Sequence, residues 1–144
     1  MVETCEFPSY NPPGEEIQSI LNDHEVVAIV GLSPKEDRDS NKVARYLRDR
    51  GYRIVPVNPT KDEILGEKSY PDLKSIPFDV DIVDIFRKVD AIPGIVDEAI
   101  EKGAKVVWMQ LGLAHNASAE KAREAGLQVV MSKCIKVEHQ NMTG

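Results

Sequence analysis

One stretch of the chain, residues 26–59, limits the possible folds more than any other because it encodes two strands separated by a helix. Residues 26–30 are all apolar and four of the five are β-branched, a composition typical of a strand buried on both faces of a parallel sheet. Residues 52–57 form a second predicted strand. Because two parallel strands need a crossover connection, the stretch predicts a β-α-β unit.

The turn between the first strand and the helix has the features of an anion site. Gly31 ends the strand, and its missing Cβ atom lets main-chain N–H groups approach a ligand. Asp39 or Ser40 is the predicted N-cap of the helix, and Gly51 is the predicted stop. The positive end of the helix dipole then faces the loop and favours a phosphate there. Three nearby side chains add positive charge: Lys35, Arg38 and Lys42.

Apolar runs and helical patterns keep alternating along the chain, which predicts a parallel sheet with right-handed crossovers. Further strands are predicted at residues 80–86, 105–110 and 127–131, and further helices at residues 15–24, 92–102 and 116–124, the last capped by Asn116. Residues 61–77 are a predicted connection with one helical turn at residues 72–75. We predict a single domain over residues 1–144, with an irregular extension at residues 1–14. Its fold is α/β, a Rossmann-like doubly wound fold with a mainly parallel sheet of about five strands.

The composition excludes several classes of function. The chain has 18 Lys and Arg against 24 Asp and Glu, a formal net charge of -6, which argues against general nucleic-acid binding. It has no apolar run of membrane-spanning length and no secretory signal pattern, so we expect a cytoplasmic protein. Its cysteines, Cys5 and Cys134, are far apart, and two reduced thiols are favoured over a bridge between them.

In a doubly wound sheet, ligands bind beyond the carboxyl ends of the strands, where the strand order reverses. This rule selects residues that are distant in sequence and share one rim of the sheet. The rim residues are Gly31, Leu32 and Ser33, Asn58 and Pro59, Phe86 and Arg87, Gln110 to Gly112, and Ser132 to Cys134. Trp108, within an apolar run, is predicted to pack in the core.

Two familiar phosphate motifs are absent from the loop. A dinucleotide fingerprint requires glycine where Ser33 stands, and a Walker A loop requires Gly-Lys-Ser or Gly-Lys-Thr at the helix entrance. The second strand ends at Asn58 and Pro59, without the carboxylate that usually binds an NAD ribose. These departures weigh against NAD and leave the ligand unidentified.

The polar residues show no pattern of a metal site or a catalytic site. Asp79, Asp81 and Asp84 carry the oxygen ligands that hard cations prefer, but Asp84 falls on the opposite strand face from the other two. The three histidines are dispersed without a triad pattern. We therefore assign neither metal ligands nor catalytic residues.

Several motifs in a fixed order carry a family resemblance. VGLS, Arg38 and Ser40 are followed by YLRDRGY, PVNP, DIFR, WMQLG and MSKCIKVEH. With these motifs the chain, from Ile20 to His139, resembles the stand-alone coenzyme A (CoA)-binding proteins, which are related to the amino-terminal CoA-binding domain of the succinyl-CoA synthetase α subunit. That subunit uses a phosphorylated histidine in a further domain, for which 144 residues leave no room. The resemblance therefore does not imply ligase activity.

The resemblance implies a role for each rim residue. The phosphate loop would contain Gly31, Leu32 and Ser33, and the CoA phosphates would be contacted by Lys35, Arg38 and Ser40. The adenosine would lie beside Asn58 and Pro59, and the ligand would continue along Phe86 and Arg87. The pantetheine side would be lined by Gln110 and Gly112, with Cys134 within reach of the CoA thiol. Each position also has a structural interpretation, as a turn residue, a solvated charge or a buried inert thiol.

The resemblance implies a module that binds CoA or acyl-CoA and carries, senses or delivers it to a partner without catalysing a reaction of its own. Two alternatives stay open. One is a small enzyme that is NAD-dependent or uses CoA-thiol redox chemistry, and the other is a regulatory interaction domain whose nucleotide site has decayed. The missing ribose carboxylate weighs against NAD, and the intact loop weighs against decay.

Overall fold

The centre of the molecule is a parallel β-sheet in the computed structural model, which describes residues 6–143. Its strands are β1 (Val26–Val30), β2 (Arg53–Val57), β5 (Ile82–Ile85), β6 (Val106–Met109) and β7 (Gln128–Val130). A separate antiparallel hairpin contains β3 (Glu63–Ile64) and β4 (Glu67–Lys68). Within the described residues the five-stranded sheet has the order β2-β1-β5-β6-β7, with every pair parallel. The predicted Rossmann-like doubly wound α/β fold is confirmed.

Helices cover both faces of this sheet. They are α1 (Gly14–Asp23), α2 (Asp39–Asp49), α3 (Ile92–Lys102), α4 (Asn116–Glu124) and α5 (Ile135–Thr143), with a 3-10 turn at Val89–Ala91. The apolar residues of α1, α2 and α5 share one core cluster, whereas those of α3 and α4 belong to a second cluster on the opposite face. Each strand contributes alternately to the two clusters because successive side chains point to opposite faces.

The strand order reverses between β1 and β5. The chain passes from β1 through α2 to β2 on one side, then returns to place β5 on the other side of β1. The loops that leave β1 and β5 therefore diverge from the same point at the carboxyl edge of the sheet. Such a reversal opens a crevice between the loops, which is the usual ligand site of this fold.

Several predicted boundaries were wrong by a few residues, and two elements were missed. The third predicted strand, residues 80–86, is shorter. Residues 72–75 do not form the predicted helical turn but a turn in which Asp72 Oδ1 accepts hydrogen bonds from Ser75. The hairpin was missed because each of its strands has only two residues, with Leu65 at φ 55° in the turn. Helix α5 was missed because its apolar positions are few and the chain ends beside it.

Two predicted helix caps were also wrong. The cap position of α4 belongs to His115, whose Nδ1 accepts a hydrogen bond from the Ser118 N–H at 3.2 Å, and Asn116 is the first helical residue. The cap position of α2 belongs to Arg38, and no side chain of the described residues caps that helix. Sequence patterns locate such boundaries only to within one or two residues.

The described part of the predicted N-terminal extension, residues 6–13, is irregular but anchored to the far edge of the sheet. The Asn11 amide donates to the Met131 carbonyl at 2.8 Å and accepts from the Met131 N–H at 2.7 Å. Ser9 donates its N–H to Asn116 Oδ1 at 2.8 Å. A single side chain thus satisfies main-chain groups just beyond β7, where an edge strand would otherwise expose them. Among the helices of the described residues, none has the length and apolar character that crossing a bilayer requires.

Asp84 is an acidic side chain in the centre of the sheet. It is fully buried in β5, in register with Ile29 of β1 and Trp108 of β6, and neither carboxyl oxygen has a hydrogen-bond partner among residues 6–143. Burial raises the pKa of Asp84 well above its ordinary value because the charged form is poorly solvated there. The carboxyl group therefore lowers the stability of the fold.

We expect Asp84→Val to stabilise the protein by about 1 to 3 kcal/mol near neutral pH, since it removes an unpartnered buried polar group. The pKa of Asp84 is higher in the folded state than in the unfolded state. Below the unfolded pKa of about 3.9 the carboxyl group is protonated in both states, and its ionisation does not affect stability. As pH rises from there toward the folded pKa, the free energy of unfolding falls. The advantage of the variant should therefore grow with pH in urea unfolding from pH 4 to pH 8. The control Asp79→Val, at an exposed position, should change stability by less than about 0.5 kcal/mol. An advantage that does not grow with pH would contradict this explanation.

Candidate functional site

A cleft of about 750 Å³ opens at the carboxyl edge of the sheet, next to the point where the strand order reverses. Four segments that are distant in sequence form its walls: the first turns of α2, the loop after β5, the loop after β6, and the start of α5. Its lining residues are Asp39, Lys42, Val43, Phe86, Arg87, Lys88, Gln110, Leu111, Leu113, Cys134, Lys136, Val137 and Gln140.

The cleft is positively charged although the whole chain is acidic. Lys42, Arg87, Lys88 and Lys136 line it, and Asp39 is the one carboxylate among its described lining residues. The first turn of α2 also faces this region, and its N–H groups have no helical acceptors. Cationic side chains and an uncapped helix N-terminus together favour an anionic ligand such as a phosphate group.

Gly31 is required by the packing of two loops. It has a φ of 90°, and a Cβ atom at this position would lie 2.3 Å from the Phe86 carbonyl oxygen and 2.9 Å from Arg87 Cδ. Its N–H donates to the Val57 carbonyl at 2.9 Å. The glycine therefore allows the loops after β1 and β5 to meet, whereas approach of a phosphate to its main chain stays a prediction.

The loop after Gly31 is folded onto the first turn of α2 by a small hydrogen-bond network. Ser40 Oγ accepts from the Ser33 N–H at 3.0 Å, and the Asn41 amide donates to the Ser33 carbonyl at 2.9 Å. Ser33 Oγ accepts from the Lys35 N–H at 3.1 Å. Ser40 and Asn41 are buried, so this network fixes the loop against the helix N-terminus. The sequence prediction missed Asn41, whose amide is one of the three side chains that set the loop geometry.

Asn58 connects the end of β2 to the same loop. Its Nδ2 donates to the Leu32 carbonyl at 3.0 Å, and its Oδ1 accepts from the Thr60 N–H at 2.9 Å. The Leu32 side chain is fully buried, so only its main chain faces the rim. Pro59 is exposed. Asn58 therefore has a structural function in the loop whether or not a ligand contacts it.

The other wall of the cleft is held by contacts between the loops after β6 and β7. Gln110 Oε1 accepts from the Ile135 N–H at 3.2 Å, which attaches the β6 loop to the start of α5. Gly112 donates its N–H to Ser132 Oγ at 3.1 Å. The Trp108 indole donates to the Lys133 carbonyl at 2.7 Å, and its ring is fully buried, so its predicted place in the core is confirmed. Ser132 has a φ of 55°, a conformation that side chains rarely adopt.

Only some of the predicted rim residues come together in the cleft. Phe86, Arg87, Gln110, Leu111 and Cys134 line it. The neighbouring loop network contains Gly31, Leu32, Ser33, Ser40 and Asn58. Lys35, Arg38, Pro59 and Gly112 are exposed and lie outside the lining. The ligand contacts of all these residues stay predictions.

The sequence prediction omitted a larger set of cleft residues. They are Asp39, Val43, Lys88, Leu113, Lys136, Val137 and Gln140, together with Lys42, of which the sequence indicated only the charge. Three of them lie on α5, a helix that was not predicted. A signal was available there, because Ile135 and Met142 both contact the core and are separated by seven positions, a spacing that returns to one helix face.

Cys134 is half-buried in the cleft and forms no disulfide among residues 6–143, and Cys5, the other possible partner of a bridge, lies outside the described residues. Within residues 6–143, no group of three or more His, Cys, Asp or Glu is placed to hold a metal ion.

Asp81 accepts hydrogen bonds from the N–H groups of Glu25 and Val26 at 3.1 and 3.0 Å, and thus joins the starts of neighbouring strands.

His139 attaches α5 to the rest of the molecule. Its Nδ1 shares a hydrogen bond of 2.8 Å with the Tyr46 hydroxyl of α2, and its ring packs edge-on against Tyr46 and Tyr52. Partial burial, and then the nearby charge of Arg50, lower the pKa of His139. The His139 ring therefore anchors the helix that supplies Lys136, Val137 and Gln140 to the cleft.

Comparison with known proteins gives concordant matches. A family model described as CoA binding domain matches residues 25–140. The uncharacterized protein YneT of Bacillus subtilis is 43% identical over 129 residues, which cover 90% of this chain and 96% of that protein. A solved structure of a hypothetical protein from Pyrococcus horikoshii OT3 is 42% identical, covers 100% of both chains and gives a TM-score of 0.91. The ADP-forming acetate-CoA ligase I of Archaeoglobus fulgidus is 29% identical over 120 residues, which are 76% of this chain but 18% of that ligase.

The packing at Gly31 can be tested by Gly31→Ala. The new Cβ would collide with main-chain atoms of Phe86, so we expect the free energy of unfolding to fall for two reasons. The left-handed backbone of an alanine costs about 1 to 2 kcal/mol, and the overpacking against Phe86 costs about 1 to 3 kcal/mol more. The matched control is Gly126→Ala, because Gly126 has a φ of 95° but open space around it, so only the strain applies. Urea unfolding of the two variants measures the difference. Equal losses would show that the loop contact contributes nothing to stability.

Proposed function

The chain belongs to the family of CoA-binding domains, and from this membership we propose that its cleft binds CoA or acyl-CoA. The proposal rests on one observation: the part of the chain that matches the family model also contains the cleft. The matched region, residues 25–140, includes all four segments that line the cationic cleft at the strand reversal.

In the proposed pose, the phosphate groups of CoA lie at the first turn of α2. The uncapped N–H groups of that turn and the Lys42 ammonium group supply positive potential there. Arg38, exposed at the cap position, contacts the 3'-phosphate, and the network around Ser33 holds the loop in place. The pyrophosphate lies between this turn and the loop that Gly31 begins.

The remainder of the ligand follows the cleft toward α5. We place the adenosine beside Asn58 and Pro59, and the pantetheine arm along Phe86, Arg87 and Gln110. This direction brings the sulfur end toward Cys134 and the apolar side chains near the start of α5. The arrangement separates the charged half of the ligand from its less polar half, as the two kinds of lining residue suggest.

We propose that the protein carries or delivers CoA and catalyses no step of its own. Cys134 is the one side chain of the described cleft lining that has a nucleophilic thiol, and the lining includes no histidine to act as its base. The ligase that resembles this chain is much longer, and the match covers 18% of it. We infer that the shared part supplies binding of the coenzyme, with chemistry left to other domains or other proteins.

A comparative titration tests ligand identity. Calorimetry under reducing conditions, on protein shown by mass spectrometry to be free of bound nucleotide, should rank CoA above dephospho-CoA, NAD and ATP. CoA alone combines the 3'-phosphate, the pyrophosphate and the amphipathic arm that the cleft accommodates. NAD binding as tight as CoA binding would favour the alternative of a small NAD-dependent enzyme, and failure of CoA to bind would overturn the proposal.

The place of the 3'-phosphate is tested by Arg38→Ala. Loss of one charge-assisted hydrogen bond should weaken CoA binding by roughly tenfold or more, while binding of dephospho-CoA, which lacks this phosphate, should change little. The control is Arg48→Ala, which removes the same charge from the last turn of α2. An equal loss for both ligands would remove Arg38 from the 3'-phosphate site.

A further inference from the structure

The wall of the cleft near α5 exposes two aliphatic side chains. Leu111 is 72% exposed and Val137 is 45% exposed, and both line the cleft. Within residues 6–143, Phe7 is the one other exposed large hydrophobic residue. Single exposed apolar side chains are common on protein surfaces, but the grouping of two in a ligand cleft is typical of a contact with an apolar group.

Leu111 is held in this exposed position by a fixed main chain. Leu113 donates its N–H to the Gln110 carbonyl at 2.8 Å and accepts from the Ser132 N–H at 2.9 Å, and these bonds close the loop on both sides of Leu111. The side chain therefore cannot withdraw into the core without breaking these bonds. The hydrogen-bonded main chain of the loop therefore fixes Leu111 in its exposed position.

Val137 is fixed relative to the same loop. It lies in the first turn of α5, whose initial N–H, that of Ile135, donates to Gln110 Oε1 at 3.2 Å. Gln110 is buried, so this bond joins the two walls through a well-ordered side chain. Leu111 and Val137 thus form one surface with a set geometry, and Leu113 and Phe86 extend it within the cleft.

Resting on the proposed function, we propose that this surface binds the aliphatic acyl chain of an acyl-CoA thioester. The phosphates and adenosine of CoA match the cationic half of the site, and the arm ends in a sulfur that carries either a proton or an acyl group. A free thiol would leave Leu111 and Val137 in water, whereas a saturated chain of a few carbons would cover them. An acyl group that ends in a carboxylate would bind more weakly, because the carboxylate would lose hydrating water where it contacts these apolar side chains.

The test measures affinity by calorimetry for CoA, acetyl-CoA, butyryl-CoA, hexanoyl-CoA and succinyl-CoA. Full burial of one methylene group raises affinity about fourfold, so an open groove should give about twofold per methylene. Hexanoyl-CoA, with four more methylene groups, should then bind roughly 16-fold more tightly than acetyl-CoA, and succinyl-CoA should bind more weakly than butyryl-CoA. The double variant Leu111→Ser, Val137→Ser should reduce the ratio of hexanoyl-CoA to acetyl-CoA affinity to about one. Phe7→Ser, which removes an exposed hydrophobic residue outside the cleft, should keep the wild-type ratio.

Two kinds of failure can be separated. If CoA itself does not bind, the proposed function fails, whereas binding of CoA with no dependence on chain length overturns only the acyl site. Succinyl-CoA binding as tightly as butyryl-CoA would also overturn it. Sedimentation of the ligand-free protein gives a third check, since a dimer that dissociates in the double variant would assign the apolar surface to a second copy of the chain. Thermal unfolding of each variant confirms that altered affinities come from folded protein.

Discussion

The structure depends on a close main-chain contact where the loops after β1 and β5 diverge. Gly31 donates its N–H to Val57 at the end of β2, and Phe86 donates its N–H to Val30 at the end of β1, so three strands are joined at one point. The Phe86 carbonyl occupies the space that a Cβ atom on Gly31 would need. This contact fixes the start of the loop that carries Arg87 and Lys88, and this loop and the first turn of α2 line the same cleft.

The same edge of the sheet combines two kinds of chemistry. On one side, the uncapped first turn of α2 and several cationic side chains favour phosphate groups. On the other, the start of α5 and the loop after β6 present aliphatic groups held by main-chain hydrogen bonds. A ligand with an anionic nucleotide half and a less polar arm would match both, and the proposed binding of CoA in this cleft rests on that combination.

Sequence reasoning succeeded wherever a short local pattern was enough. The five apolar residues of β1 are a strand with the predicted bounds, and the glycine that ends it is required by its close contact with Phe86, while approach of a phosphate to that glycine stays a prediction. The reasoning failed for α5, because that helix is amphipathic only weakly and is stabilised by distant partners, including the bond between His139 and Tyr46. A helix held by such contacts leaves little trace in its own residues.

The sequence by itself determined the alternation of strands and helices, the parallel sheet and the rim on which a ligand site would lie, because hydrophobic periodicity and glycine stops are local properties. The tertiary structure decided which rim residues share a cleft, because Gln110 bonds to Ile135, and Cys134 and Phe86 line the same cleft, only after four separate segments converge. It also placed Asp84 between Ile29 and Trp108 with no hydrogen-bond partner in the part of the chain that the structure describes. Contacts between residues so far apart in the chain depend on the packing of whole elements, which no local pattern records.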